Sequence, residues 1–363
     1  MPVAARLALL ALALAALVAG VAGGLARLGI PLPVPVAISG HGALMISGFL
    51  GTVIGLERAV ALSSPLAYCA PLASGLGSIL LLLGFNAAGQ ALWLAAPLVL
   101  LGGSIAIVAR QALLHTVVLA FGAAAWAAGN FLHAGGASAD VAAGWWFAFL
   151  VLTIAAERLE MSRLMKPRPL ARPLFLAAMA ALIAGAAASS LDPAAGALTF
   201  GLALVALAAW LFTFDIARRT MKTAGFPRYA AIALLGGYGW LAIAGLAWAG
   251  MPFRGPGLRD AAIHALGLGF VLSMILAHAP LVVPVVARVR MHYVPFFYVP
   301  VAMLHLSLLL RLAGGAADAG LRQWGGVLNA ATLVVFAVTM IHSVRLGARR
   351  VPPRAAGSVL REK

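Results

Sequence analysis

Apolar residues run almost unbroken along this chain, and only sparse charges, prolines and glycine clusters divide the runs from one another. Strict alternation is absent, so a barrel of half-lipid-facing strands is not predicted; a continuous run instead predicts a helix apolar on every face. Twelve such runs fall at about 4–28, 36–61, 66–85, 88–109, 112–134, 139–160, 171–190, 194–217, 228–250, 258–286, 294–312 and 323–345, each close to the ~20 residues that cross a hydrocarbon core. The expected fold is therefore an all-α polytopic membrane protein of about twelve transmembrane helices.

Composition agrees with that pattern. Of 363 residues, 64% are hydrophobic and 9% charged, with a mean hydropathy of +1.05. A soluble chain carries roughly 25% charged residues, so a soluble enzyme is excluded. The net charge of +16 points to topology, and no nucleic-acid partner is expected, because the Lys and Arg form no basic block. With twelve spans both termini share one face. Of the 25 Lys and Arg, only Arg27, Arg254, Arg259, Arg311 and Arg322 fall on the other face. The positive-inside rule then predicts cytoplasmic termini in a bacterial inner membrane, with anionic lipid as a secondary contact. Cys69 is the one cysteine, so no intramolecular disulfide forms. The first run is read as a retained helix, and 349–363 as a basic cytoplasmic tail after one transmembrane domain at 1–348.

An internal repeat emerges when the second, sixth and tenth runs are aligned on Phe49, Phe149 and Phe270. They read GFLGTVIGLERAVAL, AFLVLTIAAERLEMS and GFVLSMILAHAPLVV, and place Glu57, Glu157 and His278 in register. Three four-helix units follow, at about 1–110, 111–220 and 221–348.

Ionisable groups inside a span are expensive and so are candidates for function. Helix rise puts His41 and His264 at matched depth, roughly 8–9 Å inside the outer boundary. Two neutral imidazoles at one level can ligate one metal from two sides. Gly40, Gly42, Gly48, Gly267 and Gly269 around them leave a slot of the kind a flat macrocycle needs. The competing reading makes this pair ordinary polar glue between close-packed helices. Near the cytoplasmic face lie Glu57, Arg58, Glu157, Arg158, His278, and with them His115 and His342. Carboxylate plus imidazole suits a metal such as copper, a second haem through His278, or a proton path; alternatively, adjacent Glu and Arg simply pair and snorkel.

Other residues carry weaker signals. Arg254, Arg259, Arg311 and Arg322 match the carboxylates of haem propionates or anchor loops. Trp145 and Trp146 fit an interfacial aromatic belt. Met45 and Met274 read as packing, although Met is also an axial-ligand type. Asp215 reads as a partner for Arg218 and Arg219, and Asp140, Asp192, Asp260 and Asp318 as markers of outer loops. His133 lies near the outer end of its span, His305 at mid-span and His292 in a solvated loop.

The stretch SGHGALMISGF resembles the HG-x-x-M-x-x-F pattern with which haem-copper oxidase subunit I presents its low-spin haem ligand. The resemblance extends in architecture to twelve spans, cytoplasmic termini, three four-helix units and a ligand histidine in span ten. Within that superfamily the chain is most similar to the NnrS family, linked to nitric oxide and nitrosative stress, through HG-A-L-M, HALGLGF and the following H-A-P. It implies His41 and His264 as axial ligands of one b-type haem, with a second haem or copper left open. Its expected partners are a diatomic gas (NO) or an electron donor. The sequence departs from the oxidases where they hold copper: spans six and seven have no histidine, so the oxidase copper centre is not expected. A proton-coupled polytopic transporter using buried His and Glu is the alternative, and a scaffold without chemistry the third.

Overall fold

The computed structural model describes residues 1–32, 40–163, 165, 168–254 and 258–349. The expected basic tail lies outside these residues except for Arg349. Among the described residues there is no strand, and twelve helices are long and apolar enough to cross a membrane. They are α1 (Val3–Arg27), α2 (His41–Leu62), α3 (Pro65–Leu82), α4 (Asn86–Arg110), α5 (Leu114–Ala134), α6 (Asp140–Ser162), α7 (Ala171–Ala188), α8 (Pro193–Phe214), α9 (Phe226–Arg254), α10 (Arg259–Ala287), α11 (Pro295–Ala316) and α12 (Ala319–Arg349). The protein is thus an all-α, multi-pass membrane protein in contact with a lipid bilayer. By parity, both ends of the chain emerge on one face, called here the terminal face; the other is the far face.

Helix ends follow local chemistry. Asp192 caps α8 through its carboxylate, which accepts from the backbone N–H of Ala194 and Ala195 at 2.9 and 3.1 Å, and Pro193 occupies the first turn. Asp318 caps α12 in the same manner through Leu321 at 2.9 Å. The sequence predicts α8 to run to 217, but it stops at Phe214. Asp215 turns extended (ψ 150°), and its carboxylate takes the Ala217 N–H at 2.7 Å.

Sequence neighbours pack side by side, and α1 closes the ring by touching α10 and α12. One helix from each expected unit lies inside: α6 and α2 are the most enclosed, with 72% and 61% of their central windows buried, and α10 packs against both.

Two of these three central helices are not α-helical throughout. Leu44–Leu50 in α2 and Ala265–Leu272 in α10 are π-helical, whereas α6 shows no such segment. A π-turn shifts hydrogen bonding to five residues back and leaves carbonyl groups poorly used. In both helices a hydroxyl four residues after a glycine supplies the missing donor. Thr52 Oγ1 donates to the Gly48 carbonyl and Ser273 Oγ to the Gly269 carbonyl, each at 2.6 Å. The corresponding positions of α6 are Ala148 and Leu152, which offer no hydroxyl.

Prolines create further demands inside the bundle. Pro97 cannot donate back to the Trp93 carbonyl, and Asn130 Nδ2 of α5 takes it at 2.6 Å. Pro280 frees the Leu276 carbonyl, which accepts from the Tyr229 hydroxyl at 2.7 Å. The Asn130 Oδ1 in turn accepts from Ser47 Oγ at 2.7 Å and Trp146 Nε1 at 2.8 Å, and Ser47 Oγ accepts from Trp126 Nε1 at 3.0 Å. Ser74 Oγ closes the set on the Ser47 carbonyl at 2.5 Å. This network ties the π-helical segment of α2 to α3, α4, α5 and α6. It also corrects the aromatic-belt expectation for Trp146, which is buried (3% exposed) and bonded inward.

Replacing Asn130 by Leu strands the Trp146 N–H, the Ser47 hydroxyl and the Trp93 carbonyl together. Unfolding in detergent is expected to show a loss of about 2 kcal/mol. A loss no larger than that of a lipid-facing change such as Leu202→Ala contradicts the role given to this network.

Candidate functional site

Two groups of polar side chains stand at opposite ends of the central helices. At the far face, His41 opens α2 and His264 sits directly before the π-helical segment of α10. His41 Nδ1 donates to the Gly20 carbonyl of α1 at 2.6 Å. Its ring lies in a bay on α1, since a Cβ on Gly24 would stand 2.8 Å from His41 Cε1. His264 Nδ1 lies 2.9 Å from the Asp260 backbone carbonyl and 3.1 Å from the Asp260 carboxylate. With the proton on Nδ1, Nε2 carries the lone pair in both rings. In His264 that nitrogen accepts from Arg311 at 3.0 Å.

Asp260 is the hub of this group. Its carboxylate meets Arg311 at 3.0 Å and Arg322 at 3.1 Å in addition to His264. Gly325 of α12 allows this, because its missing side chain lets the Arg311 backbone pack directly on α12. His41 lies within electrostatic reach of His264, Arg311 and Arg27. The histidines paired from the sequence therefore share one neighbourhood, joined by Arg311 and Arg322. Arg259 is diverted to an ion pair with Asp140 of α6, and Arg254 is exposed at the end of α9.

Several expectations need correction here. Asp260 belongs to the first turn of α10, not to a loop, and Asp140 is an ion-pair partner. Of the predicted slot glycines, Gly48 is closed by Ser78 and Ala16, and Gly269 by the Trp240 ring. Gly42 faces open space, and Gly267 meets only Phe147 at 3.6 Å, so these two leave room. Met45 packs on Gly20 and Met274 on Gly237. Trp145 is half-buried, with its indole N–H unpartnered.

At the terminal face the repeat positions converge as their alignment predicts. Arg58 of α2 forms an ion pair with Glu157 of α6, while its neighbour Glu57 stays 4.0 Å from the guanidinium. Arg158 makes a two-pronged pair with Asp215 at 2.8 and 2.9 Å, with Arg158 4% and Asp215 2% exposed. Tyr238 of α9 lies beside this pair, fully buried, with its hydroxyl in reach of both Arg158 and Asp215. His278 donates through Nδ1 to the Met274 carbonyl at 2.7 Å and is within electrostatic reach of Glu57, Arg158 and Asp215.

The closer pairings run between helices, the Glu57–Arg58 dipeptide making only a 4.0 Å ion pair, and Asp215 serves Arg158 instead of Arg218 or Arg219. His115 faces Glu160 at 3.9 Å, and His342 is exposed on α12. His133 packs edge-on against Trp146, and His305 accepts from Trp240 Nε1 at 2.8 Å. His292 exchanges backbone and side-chain hydrogen bonds with Ser343. Among the described residues, no three His, Cys, Asp or Glu gather closely enough to hold a metal ion. The predicted set of Glu57, Glu157, His278 and His115 is instead divided among separate partners: Glu157 with Arg58, and His115 with Glu160.

A buried ion pair broken on one side leaves an uncompensated charge. Asp215→Leu is expected to destabilise the protein by about 3–5 kcal/mol, and the double change Arg158→Met with Asp215→Leu to recover most of the loss. Equal losses in the single and double variants, read by thermal unfolding, contradict the pairing.

No curated protein and no solved structure matches the chain. A family model does match residues 6–345, which take in both polar groups and all twelve helices apart from their outermost turns. By that match the chain belongs to the family described as Domain of unknown function (DUF8744).

Proposed function

We propose that this is a membrane haem protein that handles electrons or nitric oxide, with His41 and His264 as axial ligands of one b-type haem near the far face. One observation carries the reading. Each imidazole has its Nδ1 proton fixed on a backbone carbonyl, which is how a ligating histidine is usually oriented and made more basic. Each also stands at the head of a central helix, ahead of a π-helical segment of the sort that recurs at functional sites.

The donor set fits a haem on stated terms. His41 Nε2 is free to ligate. His264 Nε2 becomes free when Arg311 turns from the ring while keeping its contact with Asp260. Gly42 and Gly267 leave space near the two rings. Arg311 and Arg322 carry two positive charges against the single charge of Asp260, so a propionate is attracted without a new basic group. When bound, a haem supplies a reversible one-electron change, and ligation from both sides favours electron transfer over gas binding. Copper does not enter this reading, because among the described residues no three His, Cys, Asp or Glu gather closely enough to hold it.

The alternative, a proton-coupled transporter, draws on the terminal-face charge network. Reduced and oxidised absorption spectra of the purified protein separate the two. Wild type is expected to show a sharp reduced alpha band that His41→Ala and His264→Ala each abolish. Gly24→Leu, which drives a side chain into the His41 ring, is expected to lower haem content several-fold, whereas Gly102→Ala, exposed on α4, leaves it unchanged. A wild type without haem after expression with ample haem, or a band that survives in both histidine variants, favours transport.

A further inference from the structure

The terminal-face network is unbalanced by one charge. It contains three carboxylates, Glu57, Glu157 and Asp215, against two guanidinium groups, Arg58 and Arg158. Both guanidinium groups are committed, Arg58 to Glu157 and Arg158 to Asp215. Glu57 is the carboxylate left over, at 4.0 Å from a guanidinium already in use. An ionised carboxylate inside a bundle is costly unless something compensates it. The remaining titratable group in reach is His278, whose Nδ1 proton is held by the Met274 carbonyl and whose Nε2 therefore accepts. Glu160, about one helical turn further along α6, faces His115 and lies within electrostatic reach of Glu157.

A further observation points to occupancy by water. Arg58 Nε is buried with no hydrogen-bond partner. Buried polar atoms of this kind are normally satisfied by ordered water. A small cavity of about 20 Å³, room for about one water, lies between α2, α4 and α5; its lining is mostly apolar, with Arg58, Ser104 and Thr116 as the polar members. Arg58 lies four residues before α2 ends, so this space sits close to the terminal face.

We propose that Glu57 and His278 share one exchangeable proton, taken from the terminal face through water lodged at Arg58. The proton neutralises the network wherever it resides, on the Glu57 carboxyl or on His278 Nε2, and the two groups titrate as a pair. The proposal is independent of the haem reading. It assigns a proton-binding site whether the far-face histidines ligate iron or not.

Infrared difference spectra across a pH titration of the purified full-length protein, in light and heavy water, test it. The protein is used as isolated, whatever it absorbs in the visible. Wild type is expected to show a deuterium-sensitive carboxylic-acid carbonyl band that is lost as pH rises. Glu57→Gln removes the band, Glu57→Asp restores it, and Glu160→Gln leaves it unchanged. His278→Asn makes Glu57 the sole holder and moves the midpoint of the band upward by about one pH unit or more. Absence of the band in wild type overturns the proposal, as does its persistence in Glu57→Gln or an unmoved midpoint in His278→Asn.

Discussion

Hydrocarbon offers no hydrogen bonds, and that constraint shapes everything else in this molecule. Each polar atom on the twelve helices must find a partner within the protein. The network around Asn130 exists because Pro97 frees a carbonyl and because a π-helical turn in α2 leaves others underused. Trp93, Trp126 and Trp146 contribute bulk and a donor at once, which suits them to a core that must be both apolar and bonded. The central helices could not carry their irregular turns without these neighbours.

That arrangement creates two poles on one axis. At the far face a hub carboxylate, Asp260, gathers an imidazole and two guanidinium groups, with a second imidazole close by. At the terminal face two cross-helix ion pairs enclose a surplus carboxylate and another imidazole. His264 and His278 lie on the same helix, about 20 Å apart along its axis. The two poles are thus physically separate and chemically different: one offers lone pairs to a metal, the other a place for a proton.

Much of this was legible in the sequence. The spans were, because continuous apolar runs have few alternatives in lipid, and the repeat was, because Glu57, Glu157 and His278 occupy one register on helices that meet. Partner choice was harder. Adjacent residues on a helix do not face each other, so Glu57 and Arg58 could have been read as turning to different neighbours. Asp260 reads as a loop marker by its position between spans, although its place four residues before His264 on one helix signals contact. The π-helical segments left no trace in composition. Their one sequence mark is the hydroxyl four residues after Gly48 and Gly269, which acquires meaning only once the backbone is known. His41 lies seven residues before its glycine and His264 five before its own, so strict repeat alignment sets them out of register. Depth, not register, relates the two.

Electron paramagnetic resonance of the oxidised, haem-loaded protein tests the central claim most directly, because it reports what stands on each side of the iron. Wild type is expected to give the low-spin signature of two imidazoles, and His264→Ala a high-spin signal from iron ligated by His41 alone. A high-spin wild type, or a low-spin signal unchanged by removing either His41 or His264, contradicts the account.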